Sequence, residues 1–100
     1  MPTHSETRAF LRDRRRLTPQ QTDRFRARLV DFIDDLREME EGQRLWFRSG
    51  LRVKKLSGSP EIYEMSWAPY GCATFAIGDP IVDDKLHIEW LRIGGHEILP

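Results

Sequence analysis

The sequence has one cysteine, no net charge and no long apolar run, and each lack closes off a class of protein. A lone thiol cannot form an internal disulfide or supply the C-x-x-C spacing of zinc ribbons and thiol redox sites. No stretch approaches the roughly 18–20 apolar residues of a membrane span. The N-terminus also lacks the apolar core of a secretory signal. These absences predict a cytoplasmic protein with no metal, no cofactor and no membrane partner. With 16 basic and 16 acidic residues in 100, the chain is not a globally basic nucleic-acid binder. Repeats, linkers and low-complexity tracts are missing, so residues 1–100 read as one domain.

The charge that is present is unevenly placed. Residues 1–60 carry 14 Lys and Arg against 9 Asp and Glu, or +5; residues 61–100 carry 2 against 7, or −5. The basic charge is mostly arginine, whose planar fork suits phosphate and carboxylate. Pairing of the two halves explains this pattern, and so does a site for a polyanion; solvated or self-paired charge is the commoner use of such faces.

The apolar pattern has a helical half and a strand half. Ser5 to Arg16 can be helical, anchored by Ala9, Phe10 and Leu17, with Arg14, Arg15 and Arg16 facing water or an acidic partner. Thr18-Pro19-Gln20-Gln21 then starts a second helix: Thr18 caps, Pro19 suits the first helical position, and Gln21 completes a capping box. Phe25, Leu29, Phe32, Ile33, Leu36 and Met39 form its apolar stripe, with Arg24, Arg28, Asp31 and Asp35 turned outward. Gly42 ends it.

After Gly50 the period changes from 3.6 to 2. Leu51 to Leu56 reads as a strand with basic polar positions, and Ser57-Gly58-Ser59-Pro60 as a turn. Tyr63, Met65 and Trp67 alternate with Glu64 and Ser66 in a half-buried strand. Ala68-Pro69-Tyr70-Gly71 turns into a strand over residues 72–77, and residues 86–93 form the last. The predicted fold is α+β: two N-terminal helices on one face of an antiparallel, mostly meander sheet of about four strands.

The ordered motifs of the strand half resemble the RelE/ParE-like toxins of bacterial toxin–antitoxin pairs. Leu51-Arg52-Val53-Lys54-Lys55-Leu56-Ser57-Gly58-Ser59-Pro60-Glu61-Ile62-Tyr63-Glu64-Met65 is similar to that family's basic strand, K-L-x-G-x-P turn and following strand. Gly71-Cys72-Ala73-Thr74-Phe75 resembles its hairpin return. Ile88-Glu89-Trp90-Leu91-Arg92-Ile93-Gly94-Gly95-His96-Glu97 resembles its last strand, which ends in Gly and a polar residue of catalytic type. The likeness spans residues 19–98. It departs in two places. The family opens with a strand, whereas residues 1–7 hold no convincing one and are at most extended over residues 1–5. RNA-cleaving members carry an arginine on the strand after the hairpin, where this chain has Cys72 or Ala73.

The resemblance implies a metal-independent endoribonuclease acting on ribosome-bound mRNA and neutralised by a cognate antitoxin. In that chemistry the 2′-hydroxyl attacks the neighbouring phosphate. It needs a base, an acid and cations that hold the phosphorane charge. His96 is the foremost acid/base candidate, because imidazole changes charge near neutral pH and the family places a His, Arg or Tyr there. Arg92, four residues earlier, can supply the phosphate contact of the missing arginine, or else pair with Glu64 or Glu89. Lys54 and Lys55 are adjacent on a strand, so only one can face a given site. Arg52 and Lys54 are the favoured phosphate pair, with Lys55 as the alternative and Arg48 as a further contact; edge-strand lysines also serve simply to discourage aggregation. Glu64 is a possible general base, or a cross-strand partner of Arg52 or Lys54.

Other candidates carry weaker signals. Tyr63 and Trp67 can stack on a base, but their shared apolar face reads better as core. His87 reads as structural, His4 carries no signal, and Cys72 reads as a small buried residue. The alternative function is a ParE-like or catalytically degenerate protein that binds a protein target or antitoxin without cleaving RNA, since one fold can host both.

Overall fold

The computed structural model describes residues 2–56, 58 and 61–99. The chain runs β1 (Thr3–Glu6), α1 (Arg8–Arg15), α2 (Pro19–Glu40), β2 (Lys54–Lys55), β3 (Ile62–Ala68), β4 (Gly71–Gly78) and β5 (His87–Gly94). Short 3-10 turns occupy Ser49–Leu51 and His96–Ile98. The strands form one sheet in the order β1-β5-β4-β3-β2.

The fold is α+β as expected, but the sheet has five strands, and β1 pairs parallel to β5. The first strand escapes a pattern-based reading because Thr3, His4, Ser5 and Glu6 contain no apolar alternation. Pairing creates it: the Thr3 N–H donates to the Leu86 carbonyl at 2.8 Å and the Thr7 N–H to the Trp90 carbonyl at 3.0 Å. His87 lies between Thr3 Oγ1 at 2.8 Å and Ser5 Oγ at 3.2 Å, the structural role expected of it.

Local chemistry sets the helix ends. α1 begins at Arg8 rather than Ser5, because Thr7 Oγ1 caps it by accepting from the Phe10 N–H at 3.1 Å. α2 has the expected capping box: Thr18 Oγ1 accepts from the Gln21 N–H at 3.1 Å and Gln21 Oε1 from the Thr18 N–H at 2.9 Å. Beyond its C-terminus Gly42 adopts φ +75, a left-handed conformation that glycine reaches without steric cost.

The strand expected over residues 51–56 shrinks to Lys54–Lys55. Leu51 is fully buried in a 3-10 turn and Arg52 is left-handed, so the backbone becomes extended only after it. Of the turn predicted next, Ser57, Ser59 and Pro60 lie outside the described residues.

Both helices pack against one face of the sheet. Phe10, Phe25, Phe32 and Leu36 meet Met65, Trp67, Ala73, Phe75, Ile88, Trp90 and Ile93 in a single core. Trp90 sits at its centre, with ring centroids 5.8 Å from Phe10, 5.8 Å from Phe25, 5.0 Å from Phe32 and 5.6 Å from Phe75. Trp67 is buried in the core, as its face suggested, and Tyr63 is half-buried against it, stacked on Phe75 at 5.7 Å.

One irregularity controls the opposite face. β4 and β5 pair Phe75 with Trp90 but Thr74 with Arg92, so the register skips Leu91. This β-bulge changes the parity of β5. Trp90 and Ile93 both face the helices, while Arg92 joins the other side opposite Thr74. The backbone groups it disturbs are satisfied: Thr7 Oγ1 donates to the Leu91 carbonyl at 2.8 Å, and Asp13 Oδ2 accepts from the Ile93 N–H at 3.2 Å.

Asp35, expected to face outward, is fully buried. It accepts from the Arg48 backbone N–H at 2.8 Å and from Arg48 Nη2 at 2.8 Å, and Arg44 Nε lies 3.4 Å away. The loop after α2 is thus wrapped around a carboxylate on the helix. Burial pushes this carboxyl up, but the hydrogen bonds and charge of Arg48, with Arg44 behind it, outweigh that and hold it below the usual range.

Removing one partner of a buried pair costs about 3–5 kcal/mol. Arg48 is 37% exposed, so Asp35→Ala should cost less, about 2–3 kcal/mol in urea unfolding. Asp13 is also held below its usual value. A depressed folded value stabilises above the unfolded value and is lost as pH falls through the folded one. The unfolding free energy should therefore decline below about pH 4, with a shallower slope in Asp35→Asn.

Candidate functional site

One register row across the sheet holds three of the candidate side chains, Lys54, Glu64 and Arg92, with Thr74 between the last two. Lys54 pairs with Glu64, Glu64 with Thr74, and Thr74 with Arg92. Cross-strand partners share a face, and three strand spacings separate the ends of the row, roughly 14–15 Å. The ends are open and the middle is sunk: Lys54 is 73% exposed and Arg92 38%, whereas Glu64 and Thr74 are buried. The row therefore has a cation at each end and a buried middle.

Each cation already has a carboxylate. Lys54 Nζ lies 3.2 Å from Glu64 Oε1, the cross-strand pairing expected for that glutamate. Glu64 Oε2 is buried with no hydrogen-bond partner among the described residues. Arg92 meets neither Glu64 nor Glu89 but Asp13 of α1, through Nε at 2.6 Å and Nη2 at 3.2 Å. Burial pushes the Asp13 carboxyl up, but hydrogen bonds from Arg92 and the Ile93 N–H, with the charges of Arg92 and Arg12, outweigh it. Asp13 in turn raises Arg92 above its ordinary value. The Arg92 fork is held rigid through two of its nitrogens, leaving Nη1 outside that grip.

The next row is Ser66, Cys72 and Gly94. Cys72 is buried, as expected. Burial, reinforced by Glu64 and Glu97, pushes its thiol up to about 11, against a smaller opposing pull from Lys54. Beyond Gly94 the chain folds back over this face, since a Cβ at Gly94 would come within 3.0 Å of Ile98 Cγ2. That turn carries His96, exposed, with its ring 6.5 Å from that of Tyr70.

The remaining candidates fall elsewhere. Lys55 is in register with Tyr63, on the helix side, so Lys54 is the lysine that joins the row. Arg52 does not share a strand face with Lys54: it precedes β2 with φ 51 and is exposed. Arg48, expected among the phosphate contacts, is instead bound to Asp35 and to Asp31 at 3.2 Å. Its guanidinium holds the loop against α2. Asp13, Thr74 and Tyr70 were not singled out from sequence. Asp13 left one trace, a lone acid among arginines three residues after Phe10, on the same helix face. Among the described residues no three His, Cys, Asp or Glu side chains gather as they would around a metal ion. No helix among the described residues is long and apolar enough to cross a membrane.

The architecture is the RelE-like toxin fold. YafQ in the Escherichia coli DinJ–YafQ toxin–antitoxin complex is similar over 99% of this chain and 98% of that one, with a TM-score of 0.65 and 14% identity. A copper-bound mutant toxin from Helicobacter pylori is similar over the whole of both chains, with a TM-score of 0.59 and 15% identity. A conserved hypothetical protein of Helicobacter pylori aligns over 97% of each chain at a TM-score of 0.53 and 14% identity. No protein-family model matches the chain, and no curated protein matches its sequence.

The electrostatics of this face can be checked through its thiol. At pH 8 a thiol with a value of about 11 is ionised in roughly one molecule in a thousand, and the thiolate is the reactive form. Iodoacetamide should therefore label Cys72 at least a hundredfold more slowly in the native protein than in urea.

Proposed function

We propose that this protein is the toxin of a bacterial toxin–antitoxin pair and cleaves ribosome-bound mRNA without a metal ion. The observation that carries this reading is the register row that holds Lys54, Glu64 and Arg92, on a sheet whose last strand leads directly into the turn that bears His96. The 2′-hydroxyl gives its proton to a base and its oxygen bonds to the adjacent phosphorus. The P–O5′ bond then breaks, and the leaving oxygen takes a proton, producing a 2′,3′-cyclic phosphate and a 5′-hydroxyl. Glu64, with one oxygen free of hydrogen bonds, is the candidate base; His96 is the candidate acid.

Arg92 is suited to the phosphorane charge because Asp13 has already fixed its orientation. A cation that need not reorganise during reaction stabilises a developing charge most effectively. Arg92 thereby stands in for the arginine that the hairpin strand lacks, where Cys72 and Ala73 are both buried. Lys54 closes the far end, and Arg52 and Lys55 extend the basic surface along the chain. A cognate antitoxin and the ribosome complete the set of partners, and the cytoplasm is where they would be met.

A second reading has one specific observation in its favour. Both cations of the row are neutralised by carboxylates, Lys54 by Glu64 and Arg92 by Asp13, which lowers the pull on a phosphate. A protein that binds a protein target or antitoxin without cleaving RNA would tolerate such pairing.

Induced expression in a bacterial host with mapping of transcript 5′ ends separates the two. Cleavage predicts growth arrest and new ends within translated codons, reduced about a hundredfold or more by His96→Ala and comparably by Arg92→Ala. Arrest with intact transcripts would select the second reading.

A further inference from the structure

We infer that Tyr70 and His96 form a nucleobase-binding notch at the β3–β4 end of the sheet, where the ring of Tyr70 stacks on one base of a single-stranded RNA. This rests on the reading of RNA as substrate and adds the element that reads it. Stacking needs an aromatic face open to solvent. Trp67 fails that requirement because it is buried in the core, and Tyr63 because its ring is packed against Phe75 and Trp46. Tyr70 meets it: it is 83% exposed at the tip of the β3–β4 turn, with no hydrogen bond from its side chain among the described residues.

Exposure alone would not distinguish Tyr70 from other surface aromatics; its placement does. The ring stands edge-to-face with that of His96, the centroids 6.5 Å apart and the planes at 68°. Backbone packing holds the two together. Cys72 Sγ donates to the Gly95 carbonyl at 3.7 Å, and a Cβ on Gly95 would sit 3.3 Å from the Tyr70 carbonyl oxygen. Glu97 Oε1 accepts from the Gly95 N–H at 3.1 Å, shaping the turn that presents His96. The rings are thus positioned by the two turns beneath them, and their outer faces stay open.

A base on Tyr70 places its nucleotide beside His96. A protein partner would more readily be met by an apolar cluster than by a single tyrosine beside an imidazole. Stacking tolerates every base but favours the larger overlap of a purine, so Tyr70 sets a purine preference at one position next to the cut.

The test is a purified translation extract with a defined message, comparing wild type, Tyr70→Phe and Tyr70→Leu, with thermal melts to confirm that all three are folded. Tyr70→Phe should cleave at the same sites as wild type. Tyr70→Leu, which keeps apolar bulk but loses the π-face, should cleave at least about tenfold more slowly and lose the purine preference at that one position. Wild-type cleavage with unchanged rate and base preference in Tyr70→Leu overturns the notch while leaving the nuclease reading intact. Absence of wild-type cleavage overturns both, and the two failures are thereby distinguishable.

Discussion

The skipped residue in β5 is the constraint on which both faces of the sheet depend. Without the bulge at Leu91, Trp90 and Arg92 would lie two residues apart on the same face, and one of them would be misplaced. Trp90 is the hub of the aromatic core, so regular pairing would put the Arg92 guanidinium opposite Ala73, where Ile93 is now buried. An unpaired buried charge is among the costliest features a fold can carry. The bulge removes that conflict in a single step, and the groups it frees are taken up by Thr7 and Asp13. The same two residues lie at the start and within the body of α1, so the first helix and the irregular strand stabilise each other. In this way the apolar packing of one face positions the charged chemistry of the other.

Charge follows a similar logic. The contrast between a basic first half and an acidic second half is not resolved by wholesale pairing between them. Arg48, Arg44, Arg28 and Arg14 find their carboxylates within residues 1–60, at Asp35, Asp31, Glu38 and Glu6. Lys54 with Glu64 and Arg92 with Asp13 do pair across the halves, and both cations belong to the register row. There each carboxylate fixes a cation in place and reduces its net charge.

The sequence reading and the structure part company where polar residues are stabilised by distant partners. Asp35 falls among outward positions by helical spacing, yet the loop after α2 closes over it and makes it the most enclosed acid in the chain. Arg48 looked like a free cation for the same reason. β1 was missed because its four polar residues acquire strand geometry only by pairing with β5, which follows it by some eighty residues. Tyr70 was passed over since its chain neighbours, Pro69 and Gly71, mark a turn and say nothing of His96.

The sequence by itself determined the class of fold, the capping box at Thr18, the apolar stripe of α2 and the core role of Met65 and Trp67. It also singled out Lys54, Glu64, Arg92 and His96. These follow from short-range rules: helical and strand periodicity, the turn chemistry of Gly and Pro, and the charge states that each side chain can adopt. Only the tertiary structure decided which lysine joins the row, which carboxylate holds Arg92, and which aromatic ring stays open. Those outcomes depend on register, and a one-residue change in register reverses every side chain beyond it. Local pattern constrains what each segment becomes; the packing of distant segments sets which face each residue is given.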